Sequence, residues 1–141
     1  HELFASHASW VYGLWHRETL EAVQDRLAAG YSDDWASDHL SLLPLILDRA
    51  IVGSNETEFL QRILRGQMTR AQRRARMPGL ADMRRIRAAF DAFGRAEIAA
   101  RDWTRDERAA LDRLWPRYVA RRCFSRSKLF WAGVRRIAGR G

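Results

Sequence analysis

Cysteine is almost absent from this chain: Cys123 is the only one in 141 residues. An intrachain disulfide framework and a thiolate metal cluster both need more than one thiol, so both are excluded, and a reducing, cytoplasmic setting is expected. Lysine is almost absent too, since Lys128 is the single lysine among 25 basic residues. Long apolar runs are missing. The longest uncharged one, residues 40–47, is far shorter than the roughly 20 residues that cross a bilayer. A glycine-rich phosphate loop, a Ser/His/Asp arrangement, internal repeats and low-complexity tracts are also missing. No charged-then-apolar leader opens the sequence, and the start at His1 is expected to be a cut that removes an upstream part.

What is present is the balance of a folded protein, with 47% hydrophobic and 30% charged residues. The net charge of +8 is unevenly spread. Residues 1–60 carry three Arg against ten acids, residues 61–100 ten Arg against three acids, and residues 101–141 twelve basic against four acidic side chains. An acidic front joined to an Arg-rich back suggests a site in the first part and a surface for an anionic partner in the second. The same arginines also fit solvated helix faces, their stems covering apolar surface.

Hydrophobic spacing then assigns elements. The aromatic and β-branched run 10–15 reads as a short buried strand or an aromatic-lined loop. Residues 17–29 read as a helix, with Leu20, Val23 and Leu27 on one face and Gly30 as its stop. Residues 31–35 form a polar loop. Ser37 or Asp38 caps a helix through 40–47, in which Pro44 requires a late start or a kink. Residues 50–54 read as a buried strand and 58–64 as a second. A basic helix over 69–77 ends at Pro78-Gly79. A longer one buries Leu80, Met83, Ile86, Phe90 and Phe93 and reaches about residue 100, with Gly94 as a mild weakness. Thr104-Arg105-Asp106-Glu107 is a capping box opening a helix with Leu111, Leu114 and Tyr118 on one face and Pro116 as its kink or break. Residues 127–138 are a final amphipathic segment.

Residues 9–66 also carry an ordered set of motifs. Ser9-Trp10-Val11-Tyr12-Gly13-Leu14-Trp15-His16-Arg17-Glu18 is followed by Tyr31-Ser32-Asp33-Asp34. Then come Ser37-Asp38-His39-Leu40 and Asp48-Arg49-Ala50-Ile51-Val52-Gly53. In this order they resemble the carboxyl-terminal half of family 2 (GT-A fold) glycosyltransferases. There an aromatic Y-G-L-x-R-R-E stretch leads into a helix, an acidic loop opens another, and a G-R-F-V-like strand precedes one ending Y-R-R-x-H. The terminal histidine of that pattern has no counterpart, because the chain runs Arg62-Ile63-Leu64-Arg65-Gly66-Gln67.

The resemblance implies an α-rich α/β fold: short strands in 9–66 forming part of a GT-A-like sheet, then an Arg-rich helical tail over 67–141. Residues 1–66 would be the acceptor side of a catalytic domain that transfers a glycosyl group from a nucleotide sugar to a saccharide or lipid-linked acceptor. The donor-binding half, with the Asp-x-Asp motif for a Mg or Mn ion, would lie outside this chain, so the 141 residues alone are expected to be inactive. Asp38 is at the position of the general base that takes the acceptor's proton, with Asp34 next and Asp33 third. Arg65 would reach a diphosphate. On its residues alone, Asp38 reads first as a helix cap, and only the resemblance turns the reading toward the base.

Trp10, Tyr12, Trp15 and Trp35 suit a sugar-stacking wall or the core, and Gly13 a close backbone approach or a turn. With Arg17, Asp33 and His39 they complete the acceptor-side set. His7, His16 and His39 have no diagnostic metal-ligand spacing. The competing function is a basic helical module binding nucleic acid or an anionic surface through Arg70, Arg73, Arg74, Arg76, Arg84, Arg85 and Arg87. Nucleic acid is disfavoured by the acidic front and by the absence of a recognition motif. In residues 124–141, Phe130, Val134 and Ile137 share one helical face bordered by Trp131 among basic residues. That pattern fits an anionic membrane surface or packing on the preceding helices.

Overall fold

The computed structural model describes Phe4, Gly13 and residues 15–52 and 77–138. All regular structure there is helical. The five helices are α1 (Arg17–Gly30), α2 (Ser37–Leu47), α3 (Leu80–Ala99), α4 (Arg105–Arg122) and α5 (Arg126–Ala138). The expected α/β class is therefore overturned: no strand or sheet occurs among the described residues. The run 10–15 is seen only at Gly13, an exposed bend, and at Trp15, which is irregular. Residues 50–52 are irregular as well, and Val52 is 96% exposed, so this is no buried strand. The second strand, at 58–64, and the basic helix up to residue 76 lie outside the described residues.

The physical reason for the correction is local. β-Branched and aromatic runs report a half-buried surface rather than a backbone form. After α2 the backbone is already committed to a helix-ending turn. The Ala50 N–H donates to the Leu45 carbonyl at 2.8 Å and the Arg49 N–H to that of Ile46 at 3.2 Å, with Arg49 left-handed at φ 55°. These are the paired bonds of a Schellman termination, which turn the chain away as soon as the last carbonyls are satisfied.

Helix α3 is the centre of the packing, contacted by α2, α4 and α5, while α1 lies on α2. Its buried Met83, Ile86, Phe90 and Phe93 recur at helical spacing, and Phe90 meets the rings of α4. Phe90 stacks on Trp115 with ring centroids 6.0 Å apart and planes 8° apart, and Trp115 stacks on Tyr118 at 5.4 Å. All three rings are at most 1% exposed. Helix α2 is buried nearly all round, including Pro44, and continues through that proline. Likewise α4 runs unbroken through Pro116 from a complete Thr104/Glu107 capping box. Gly30 ends α1 where a side chain would meet Phe93, since a Cβ there would come within 2.8 Å of Phe93 Cδ2. Cys123 is buried, and burial pushes its thiol up, making it a packing residue rather than a nucleophile.

One polar cluster links α2 to α3. The Arg101 guanidinium donates to both carboxylate oxygens of Asp48 and, at 3.0 Å, to Glu97. Its side chain is 14% exposed and that of Glu97 10%. The hydrogen bond from Arg101 holds the Asp48 carboxyl below its ordinary range.

Candidate functional site

The acidic loop lies between α1 and α2. Tyr31 closes α1, its N–H donating to the Leu27 carbonyl at 2.7 Å. Its ring is buried edge-on to Phe90 at 6.3 Å, and its hydroxyl donates to the Trp35 carbonyl at 2.5 Å. Burial is the main reason why its phenol is pushed well above the ordinary tyrosine range. That bond closes residues 31–35 into a compact turn. Ala36 then takes a left-handed conformation (φ 62°, ψ 20°) and the helix begins.

The cap differs from the expectation. Ala36 occupies the capping position and offers no side-chain bond, while Ser37 is already helical and donates from Oγ to the Asp34 carbonyl at 3.1 Å. Asp38 lies in the first turn, half-buried, with Oδ1 accepting the His39 N–H at 2.9 Å. The same N–H also donates to the Ala36 carbonyl at 3.1 Å, so the carboxylate shares a bonded N–H at the helix start.

The neighbouring side chains are divided between scaffold and surface. Asp33 accepts from Arg85 of α3 at 2.6 Å, so it fastens the loop to the core. Trp35 stacks on buried Phe124 at 4.8 Å, which occupies one face of its indole. His39 meets the Tyr118 ring edge-on at 6.4 Å. Asp34 is exposed. Asp33, Asp34, Trp35, Asp38 and His39 are thus gathered at the amino end of α2. Arg17, exposed, starts α1, and Trp15, packed against the core, directly precedes it. The 14 residues of α1 separate that end from the loop, a rise of about 20 Å. The two described tryptophans of the aromatic wall therefore stand at opposite ends of one helix. Trp10, Tyr12 and Arg65 lie outside the described residues.

Sequence reasoning gave Arg85 only to an anion-binding cluster, missing its pairing with Asp33, and missed Ala36 altogether. The Asp33–Arg85 pair spans 52 positions, a separation that no periodicity reports. Ala36 is neither Gly nor Asn, the residues that signal a left-handed turn. A strained alanine between the acidic loop and Asp38 has a measurable consequence. Ala36→Gly should stabilise the fold by about 0.5–1 kcal/mol, because glycine adopts that φ without a Cβ clash. Urea unfolding measures this, and an unchanged midpoint would mean the turn carries no strain.

Among the described residues, no group of three His, Cys, Asp or Glu side chains is placed to hold a metal ion. A cleft of about 160 Å³ between α3 and α4 is lined by Arg95, Ile98, Ala99, Arg108, Asp112 and Trp115. It is smaller than the roughly 300 Å³ at which small-molecule sites begin. Its two arginines are already paired, Arg95 with Asp91 and Arg108 with Asp112. No helix among the described residues is long and apolar enough to cross a membrane. Comparison with protein families, with curated proteins and with solved structures gives no match to this chain.

Proposed function

We propose that this chain is the acceptor-side, carboxyl-terminal portion of a family 2 glycosyltransferase, transferring a sugar from a nucleotide donor to a saccharide or lipid-linked hydroxyl. The observation that carries the proposal is the placement of Asp38: a half-buried carboxylate in the first turn of α2, directly after the acidic loop. The acidic loop followed by the Asp38 helix, in the order of the motifs, supports the same reading, while the strand that the pattern puts at 50–54 is absent at 50–52.

A base must be ionised and must present a free lone pair to the acceptor. The His39 N–H engages one oxygen of Asp38, orienting the carboxylate. The second oxygen takes the proton of the acceptor hydroxyl as that oxygen attacks the anomeric carbon and the nucleoside diphosphate leaves. Asp34, exposed at the loop, binds acceptor hydroxyls, and Asp33 with Arg85 keeps the loop in place. On this reading the divalent ion that such donors require is held by the donor-binding half that the resemblance places outside this chain.

In the protein that carries this chain, Asp38→Asn should cut turnover about a hundredfold and leave donor affinity unchanged. Asp38→Ser retains an acceptor for the helix N–H and should fold as well as the parent, yet be equally slow. If both variants turn over normally while Asp38→Ala unfolds more easily, Asp38 serves the helix start alone.

A further inference from the structure

The last helix presents its apolar side chains outward. Phe130 is 64% exposed, Trp131 59% and Val134 36%, while Leu129 and Ala132 on the other side pack against the core. Gly133 lies over Leu80 of α3, so the inward face is already used. The expectation that the Phe130/Val134 face packs on the preceding helices is therefore not what the fold does. Phe130 and Trp131 meet edge-to-face at 5.6 Å, forming one exposed aromatic ridge. Exposed aromatic surface that a fold does not cover marks a contact with something else.

Charge identifies the occupant. Asp112 is the last acid, and residues 113–141 hold nine basic and no acidic residues. Exposed Lys128 is three positions before Trp131, one helical turn from the ridge, and the sequence continues with Arg135 and Arg136. A second copy would bring the same positive field against itself. Nucleic acid would satisfy the cations but would leave the aliphatic part of the ridge wet.

From this we infer that α5 docks on a bilayer surface carrying anionic headgroups. Phe130, Trp131 and Val134 enter the boundary between headgroups and acyl chains, and Lys128 and its neighbouring arginines pair with headgroup phosphates. This is independent of the glycosyl-transfer reading.

The test is co-sedimentation of the 141-residue chain with vesicles of phosphatidylglycerol and phosphatidylcholine, against phosphatidylcholine alone. Binding to the anionic vesicles should be at least about tenfold stronger and should weaken in about 0.5 M salt. Phe130→Ser with Trp131→Ser removes only exposed groups, so the helical circular dichroism should persist while vesicle binding falls about tenfold. Brominated lipid should quench part of the tryptophan emission of the parent but not of the double variant. Undiminished binding by the folded double variant overturns the inference. So does equal affinity for both vesicle types, or a parent chain that dimerises through this ridge or binds an oligonucleotide through it in preference to vesicles.

Discussion

Gly94→Ala is expected to destabilise the chain by about 3 kcal/mol, at the upper end of the cost of overpacking a core. In most helices this exchange is favourable, because alanine is the better helix former by about 1 kcal/mol. Here the sign reverses. A Cβ at Gly94 would be placed on Cζ2 and Cη2 of Trp115, inside the indole. Trp115 is held in place: it is 1% exposed, stacked on Phe90 and Tyr118, and bonded from Nε1 to Asp91 at 2.6 Å, so moving toward the cleft it lines would break these contacts. Thermal unfolding should shift down by about 10 °C. The cause is checked by combining Gly94→Ala with Trp115→Leu. If the clash is the mechanism, the pair should cost clearly less than the sum of the two single changes. Additive losses would mean that alanine acts elsewhere.

Arg101→Met is expected to cost about 3 kcal/mol, since removing one partner of a largely buried ion group leaves an uncompensated charge. The stranded group is Glu97, whose side chain is 10% exposed and whose other cationic neighbour, Arg26, is 3.8 Å away. Acid titration separates this from lost packing. The Asp48 carboxyl is held below its ordinary range by Arg101, so it contributes stability that is present above its unfolded value near pH 4 and is lost as pH falls through the lower folded value. The parent should therefore lose more stability than Arg101→Met between about pH 5 and pH 2. Parallel acid profiles would show that Asp48 draws nothing from this contact.

The helical part of the fold is readable because its signals are local. The 20/23/27 spacing and Gly30 delimit α1 to within a residue. The Thr104/Glu107 box marks the start of α4, and the Met83 to Phe93 stripe the buried face of α3. The failures have a common cause in tertiary partners. Leu111, Leu114 and Tyr118 outline a face at helical spacing, yet Leu111 and Leu114 are only partly buried while Trp115, three before Tyr118, is buried with it. Gly94 looks like a weak point in α3 until the ring from α4 fills it. Short β-branched runs such as Ile51-Val52 show no strand, and nothing in their spacing distinguishes them from a helix exit.

Of the candidate site, Asp34 and Asp38 are legible as acids in a loop and at a helix start. The stacking of Trp35 on Phe124, 89 positions away, is not. The charge asymmetry also has an inward meaning the composition hides: part of the acidic front is matched by the basic back, through Asp33–Arg85 and Asp48–Arg101.

Those two ties have a consequence for a cleaved chain. The α1–α2 pair is joined to the remaining helices through α2 against α3, and each ion pair bridges more than 50 positions. Continuity of the backbone between Val52 and Met77 is not among these attachments. A protease cut within that stretch should therefore leave two pieces travelling together through a sizing column at low ionic strength, as a noncovalent heterodimer of one chain's halves. Their separation would call for high salt and denaturant together, because one weakens the charge pairs and the other the buried leucines of α2.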